Sequence, residues 1–297
     1  MEKVQEPLVR KGWQRVIIYA VGIALIIFFI QFFGAFLVAE TGLVTEDPGD
    51  AVVSFALVYL LLGAFVFAFT LFMRRMVDRK SFQSLGFSWK GYSNEAGLGF
   101  FSAVALLGVG TLVLIATGYL SFITVAFEPL PLLLEMVVMI IVAFTEELLF
   151  RGYLLNNLMQ SMNKWTALVV SAILFSLFHG ANPDITILAF ANILLGGLLM
   201  GINYIFTKNL WFAIFFHFAW NFFQGPVFGY EVSGLQLSSL FQQSMVGPSL
   251  FTGGPFGFEG SLLCFLLLLI ALLVFAYAFS KRYQLAAPPE QKMFNIT

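Results

Sequence analysis

Two adjacent glutamates, Glu146 and Glu147, lie in an apolar stretch of the chain and are followed by Arg151. On a helix, residues four apart are neighbours, so Glu147 and Arg151 can form an ion pair. Glu146 is rotated from Glu147 by about 100°, which leaves its carboxylate available as a general base. A helix distortion near Phe150 would exchange these two roles of Glu146 and Glu147. A helix end that carries charges to the membrane surface is the simpler alternative.

The chain has two histidines, and each lies in an apolar segment. His179 closes the sequence Phe175-Ser-Leu-Phe-His179, and His217 precedes Asn221 by four residues, so that an imidazole and a carboxamide share a helix face. A packed histidine and a small polar contact between helices are the ordinary roles of such residues. Ionisable groups at membrane depth cost about 2.5–3.5 kcal/mol each, so they are candidates for function. The candidates are Glu135, Glu146, Glu147, Arg151, His179 and His217.

Apolar helices must position these residues. The 297 residues are 60% hydrophobic and 10% charged, whereas a soluble domain carries roughly 25% charged residues. A hydrocarbon core of about 30 Å takes about 20 helical residues to cross. We therefore predict an all-α, polytopic membrane protein with about eight transmembrane helices, of which the fifth and seventh are short. The predicted segments are 16–38, 51–73, 95–117, 131–158, 165–180, 185–206, 210–224 and 261–279.

The charged residues predict the orientation of these helices. Lys and Arg collect in cytoplasmic loops, and eight crossings from a cytoplasmic N-terminus place every Lys and Arg on that side or at its membrane edge. The opposite loops hold only acidic charges: Glu40, Glu46, Asp47, Asp50, Glu128, Asp184, Glu231 and Glu259. We therefore predict a multi-pass protein of the cell membrane with both termini in the cytoplasm. The net charge of −1 gives a nucleic-acid partner no support, and the sole cysteine, Cys264, excludes an intrachain disulfide.

Four polar side chains are predicted to lie at similar depths in the membrane. At 1.5 Å per helical residue, Glu146 is about 18 Å from the cytoplasmic end of its segment, His179 about 21 Å, His217 about 10 Å and Asn221 about 17 Å. One layer near the middle of the bilayer accommodates all four. We predict that they line a single polar cavity.

Three motifs, in this order, resemble those of the CAAX-protease and bacteriocin-processing (CPBP, or Abi) family of membrane peptidases. They are Glu146-Glu147-x-x-x-Arg151, Phe175-x-x-x-His179 and His217-x-x-x-Asn221. The resemblance covers about residues 130–225. It extends more weakly to residues 78–86 and to the glycine-rich residues 196–201, whose small side chains permit close helix packing. The His-Glu-x-x-His, Gly-x-Ser-Gly and Gly-x-Gly-Asp motifs of other intramembrane peptidases do not occur in the sequence.

The resemblance implies a CAAX prenyl protease-like endopeptidase that hydrolyses a peptide bond in a membrane-associated protein or peptide. It implies that Glu146 with His179 activates water, and that His217 with Asn221 stabilises the oxyanion. Glu146, His179 and His217 could bind zinc with one open position, as in a metalloprotease, or the site could work without a metal. The sequence leaves both possibilities open.

Two other classes of function are compatible with a chain of this kind. One is a non-catalytic membrane scaffold or bacteriocin self-immunity protein that keeps the fold and binds a partner. The other is a small transporter with a Glu/His proton relay, which would show inverted repeats or broken helices. The expected partners of a peptidase are a peptide or protein substrate and the lipid bilayer.

We expect three regions along the chain. Residues 1–94 form an N-terminal two-helix region with a cytoplasmic interfacial segment, 95–225 form the peptidase core, and 226–297 form an extracytoplasmic loop and the last transmembrane helix. Within these regions, 75–94 is either an interfacial element or an ordinary loop. Residues 225–260 form either a partly ordered cap or a flexible loop.

Overall fold

Each of the eight predicted segments contains a helix. A computed structural model describes residues 6–41 and 48–285, so Glu46 and Asp47 of the predicted acidic loop lie outside the described residues. The long helices are α1 (Gly12–Thr41), α2 (Pro48–Phe72), α3 (Ser93–Ala116), α4 (Pro129–Glu147), α5 (Lys164–Phe178), α6 (Ile187–Thr207), α7 (Trp211–Phe222) and α8 (Leu262–Leu285). Sequence periodicity and apolar length therefore located the helices well.

Five stretches of the described helices are long and apolar enough to cross a membrane. They are Gly12–Phe33, Ala56–Val77, Ser93–Ala116, Ile187–Thr207 and Leu262–Tyr283. Helices α5 and α7 have 15 and 12 residues, so the fifth and seventh segments are short, as predicted. The helical membrane protein is confirmed, while the count of eight crossings stays a prediction.

Helices α6 and α7 form the inside of the bundle. Over half of the span on α6 is buried (56%), against 17–33% of the spans on α1, α2, α3 and α8. Helix α6 packs against α5 and α8, and α7 packs against α3. At Gly99 a Cβ atom would lie 2.2 Å from the carbonyl oxygen of Phe212. The close approach of α3 to α7 therefore requires glycine at this position.

The glycine-rich part of α6 faces α5. A Cβ atom at Gly201 would lie 2.4 Å from Leu168, and one at Gly197 would lie 3.2 Å from Ala172, whereas nothing lies within 4 Å of a Cβ atom at Gly196. Two of the three glycines thus bring these helices together. The backbone carbonyl of Gly197 thereby comes within reach of side chains at the centre of the bundle.

Two helices continue as π-helix beyond their α-helical ends. Helix α4 continues through Leu148–Leu155 and one α-helical turn, Asn156–Leu158. Helix α7 continues through Phe223–Val227. π-Helical segments are rare and are frequent at functional sites, because the wider turn changes the direction of the side chains. The segment that follows α4 begins directly after Glu147.

The predicted extracytoplasmic segment 225–260 is an ordered cap rather than a flexible loop. Its strand β2 (Phe241–Met245) pairs antiparallel with β1 (Leu120–Val125), which follows α3. Tyr230 of the cap shares a 3.0 Å hydrogen bond with Thr111 of α3. The all-α prediction missed this small two-stranded sheet, because neither segment alternates clearly between apolar and polar residues.

Segment 75–94, which the charge distribution predicts to be cytoplasmic, is packed against the helix ends. Its Asp78 is fully buried and accepts hydrogen bonds from Arg74 at 2.8 Å and from Arg15 at 3.3 Å. Tyr153 and Asn157, which follow α4, also donate to Asp78, at 3.2 and 3.4 Å. The sequence predicted only that Lys and Arg lie on the cytoplasmic side or at its membrane edge, whereas the fold buries Arg15, Arg74 and Asp78 as one network.

Candidate active site

The ion pair predicted at the end of α4 is present and buried. Arg151 Nη1 donates to Glu147 Oε1 at 2.7 Å, and the two side chains are 1% and 0% exposed. Arg151 Nη2 donates to the carbonyl of Gly197 on α6 at 2.9 Å, and its Cζ lies 4.6 Å from the ring centre of Phe175 on α5. The π-helix near Phe150 leaves this pairing unchanged. Arg151 thus holds three helices together.

Glu147 also orients His217, a contact that the sequence did not predict. His217 Nδ1 lies 3.0 Å from Glu147 Oε1. A carboxylate can only accept, so Nδ1 carries the proton and donates it to this bond. The opposite ring nitrogen, Nε2, lies 3.9 Å from Glu146 Oε2. Glu147 therefore turns the free edge of the imidazole toward the other glutamate.

His179 faces Glu146 from a second helix. It follows the last residue of α5, and its Nδ1 lies 2.8 Å from the carbonyl oxygen of Phe175. Because a carbonyl oxygen only accepts, Nδ1 is again the protonated nitrogen. Nε2 lies 3.6 Å from Glu146 Oε2. Both histidines thus direct Nε2 at the same carboxylate oxygen, which is buried and makes no hydrogen bond to a described residue.

A cavity of about 540 Å³ joins these groups to Asn221. Glu146, His179, His217 and Asn221 all line it, as the depth argument predicted. Asn221 is 7% exposed and lies one helical turn beyond His217. Within the described part of the chain its carboxamide makes no hydrogen bond, so its N–H groups are available to a ligand in the cavity. The walls are otherwise mostly apolar, with Ile27, Leu62 and Phe216 among them.

The cap contributes polar residues that no sequence motif assigned to the site. Glu259 lines the cavity; its Oε1 accepts from Trp220 Nε1 at 3.0 Å, and its Oε2 accepts from the Ser233 hydroxyl at 2.7 Å. Asn192 of α6 donates to the backbone carbonyls of Glu259 at 2.6 Å and Ser261 at 2.9 Å. Glu259 looked like one more acidic loop residue, because only the folding of the cap brings it to α7.

The candidate zinc ligands surround one carboxylate oxygen but do not form a metal-binding group. In residues 6–41 and 48–285, no set of three His, Cys, Asp or Glu side chains is arranged to hold a metal ion. Dialysis against a chelator tests the zinc prediction: activity that is lost and then restored by zinc would show that the protein requires the metal.

The helices and the cavity together define a polytopic membrane protein with a Glu/His site inside its bundle. Residues 128–223, about a third of the chain, match the model of the family described as type II CAAX prenyl endopeptidase Rce1-like. The match supports the resemblance seen in the motifs: this part of the chain is similar to the CPBP/CAAX family of intramembrane peptidases. Searches of curated proteins and of solved structures gave no match.

Proposed function

We propose that the protein is an intramembrane endopeptidase in which Glu146 and His179 activate a water molecule. The family supports a CAAX-type endopeptidase in general. The roles of Glu146 and His179 are inferred from the environment of Glu146 Oε2. It is buried without a hydrogen-bond partner, and His179 Nε2 and His217 Nε2 lie 3.6 and 3.9 Å from it.

The hydrogen bond of His179 to Phe175 explains how water would be held. With the proton on Nδ1, a neutral His179 presents a lone pair at Nε2. Two acceptors, Nε2 and Glu146 Oε2, then face each other at 3.6 Å. A water molecule can donate one O–H to each of them, and its own lone pairs then point into the cavity. Glu146 takes a proton as the water oxygen attacks the carbonyl carbon of the peptide.

The attack converts the carbonyl oxygen into an oxyanion, which in this proposal Asn221 and His217 stabilise. Asn221 offers its carboxamide N–H, and a doubly protonated His217 offers Nε2–H. Glu147 at 3.0 Å and Glu146 at 3.9 Å are the carboxylates that lie beside this ring. Each donor of this kind contributes about 10²–10³ in kcat.

Collapse of the tetrahedral intermediate completes the reaction. The C–N bond breaks, and the proton taken by Glu146 passes to the leaving nitrogen. The products are a new carboxyl terminus and a new amine, and Glu146 returns to its carboxylate form. Arg151 and Glu147 take no part in these transfers; they hold His217 in place.

The experiment compares two glutamates of the same helix. The full chain in detergent is assayed on a library of fluorogenic peptides, with Glu146→Gln as the test and Glu135→Gln as the control. Glu135 is buried, does not line the cavity and accepts a hydrogen bond from the backbone of Ser238, which Gln can also accept. We expect Glu146→Gln to lower turnover by about 10²–10⁴ and Glu135→Gln to retain it.

Two results would contradict the proposal. If Glu146→Gln kept turnover within a few-fold of wild type, the carboxylate would not be the base. If the folded wild-type chain cleaved no peptide in the library, the non-catalytic scaffold would become the better reading. Thermal melting of each variant shows whether the chain is folded in the assay.

A further inference from the structure

The cavity reaches the surface of the molecule beside the cap, where its lining residue Ala181 is exposed. Besides His179, seven lining residues come from the segment between α5 and α6 and from the segment between α7 and α8. They are Ala181, Asn182, Val232, Ser233, Leu235, Leu237 and Glu259. Residues 74–92, 159–163 and 208–210, which connect the helices at the other end of the bundle, contribute nothing to the lining. The cavity therefore lies nearer to the cap than to the other end of the bundle, and its exposed lining residue Ala181 is on the side of the cap.

The opposite end of the bundle is closed. Asp78, Arg15 and Arg74 are each at most 1% exposed and are joined in one network across the helix ends. Nearby, Leu210 N donates to Gly86 O at 3.0 Å, and the Tyr204 hydroxyl donates to Leu85 O at 2.9 Å. A substrate entering from this end would have to break a buried ionic network and these backbone contacts.

The predicted orientation places the closed end in the cytoplasm and the cap outside. The sequence has no Lys or Arg between residues 91 and 150 or between 209 and 280, whereas Arg15, Arg74 and their neighbours all lie at the closed end. The same distribution makes the mouth of the cavity acidic. Glu259 lines it without an ion pair to any described residue, and Asp184 is exposed on the adjoining segment.

A buried acceptor inside the cavity points to a ligand that donates hydrogen bonds. Asn192 lines the cavity and is 1% exposed. Its Nδ2 donates a hydrogen bond to a backbone carbonyl of the cap, whereas its Oδ1 is buried and has no hydrogen-bond partner among the described residues. Buried polar atoms are normally paired. An N–H or ammonium group of a bound peptide would satisfy Asn192 Oδ1, and the carboxylate of Glu259 favours positive charge beside it.

We propose that the cavity is entered from the extracytoplasmic side by a peptide segment that carries Lys or Arg near the bond to be cut. This proposal rests on the proposed function and names its substrate class and the side of access. The substrates are cationic peptides, or cationic segments of membrane proteins, at the outer face of the membrane. The acidic residues at the mouth of the cavity attract such segments. The side-chain oxygens of Asn192 and Glu259 accept hydrogen bonds from the N–H groups of the segment.

The side of entry is tested by labelling with a bulky, membrane-impermeant maleimide. The buried Cys264 is first replaced by alanine, and single cysteines are then introduced as Ala181→Cys, Ile187→Cys and Lys90→Cys. Ala181 lines the cavity and is exposed; Ile187 is 92% exposed, lies nearby and does not line it. Intact cells should label both positions and should label Lys90→Cys only after lysis.

Peptide cleavage by the labelled variants distinguishes a label that blocks the mouth of the cavity from a label on the surface beside it. We expect labelled Ala181→Cys to lose at least tenfold in peptide cleavage and labelled Ile187→Cys to keep its rate. Ser233→Cys serves as a second mouth position if Ala181→Cys fails to fold. Labelling of Lys90→Cys in intact cells, or equal rates for the two labelled variants, would overturn entry from outside.

The preference for positive charge is tested with three matched peptides that differ by Lys, Gln or Glu beside the cleavage site. An exposed ion pair changes affinity by about two- to fivefold. We therefore expect kcat/KM for the Gln peptide to be lower than for the Lys peptide by about this factor, and kcat/KM for the Glu peptide to be lower again by the same factor. Asp184→Asn and Glu259→Gln should each reduce the preference. Equal kcat/KM values overturn the cationic class. Absence of all cleavage contradicts the proposed function instead, and the labelling pattern still reports the side of access.

Discussion

Replacing Glu147 by glutamine tests the division of roles between the two adjacent glutamates. Glu147 is fully buried, and its Oε1 accepts from both Arg151 and His217. Glutamine keeps the shape and one acceptor oxygen but removes the charge that balances Arg151. Besides the neutral glutamine carbonyl, the guanidinium would have only the carbonyl of Gly197 and the ring of Phe175 as partners. We therefore expect Glu147→Gln to destabilise the fold and also to release His217.

The size of the effect follows from the burial of the pair. Removing one partner of a buried ion pair costs on the order of 3–5 kcal/mol. Because the glutamine carbonyl can still accept from Arg151, we take the lower end, about 3 kcal/mol. At about 2–4 °C per kcal/mol for a chain of this size, Tm should fall by about 6–12 °C. Glu146→Gln should change stability by no more than about 0.5 kcal/mol, since Glu146 Oε2 has no partner to lose.

The assay combines thermal melting in detergent with peptide turnover. A third variant, Glu147→Gln combined with Arg151→Met, removes both charges. Because neutral replacement of a buried pair is often tolerated, this variant should recover most of the stability lost in Glu147→Gln. Its turnover should stay low, since His217 has lost a charged partner. If Glu147→Gln melts like wild type, or the double variant is less stable than the single one, the buried pair does not have the role described.

Three further predictions address the cavity, the helix packing and the segment ends. Asn221→Ala should lower kcat by about 10²–10³ with KM nearly unchanged, in steady-state kinetics; a rise in KM alone would make Asn221 a binding residue. Gly99→Ala should lower Tm, because its Cβ would meet a backbone oxygen at 2.2 Å, whereas Gly97→Ala, with nothing within 4 Å, should not; equal melting points would contradict the close packing of α3 and α7. Asn163 caps the start of α5, since its Oδ1 accepts from the backbone N–H of Trp165 and Thr166 at 3.1 and 2.9 Å. Asn163→Ala should therefore cost about 1 kcal/mol and leave turnover intact; loss of activity without loss of stability would contradict a purely structural role.

The sequence alone determined where the helices are and which residues are candidates for chemistry. Apolar length and residue spacing are local properties, so they located the helices to within a few residues. They also located the cavity residues Glu146, His179, His217 and Asn221, because depth in a bilayer follows from the count of residues along each span. The pairing of Glu147 with Arg151 followed from helix geometry in the same way.

Other features depend on how helices rotate and how loops fold, which no local pattern encodes. The bond from His217 to Glu147 joins α7 to α4, and the approach of Glu259 to Trp220 requires the whole cap to fold over the bundle. Likewise, Arg15 and Asp78 are 63 residues apart and meet only because α1 and the segment after α2 end together. A hydrogen bond depends on positions within a fraction of an ångström. Only the tertiary structure therefore decided which ring nitrogens face Glu146, what closes one end of the cavity and what surrounds its mouth.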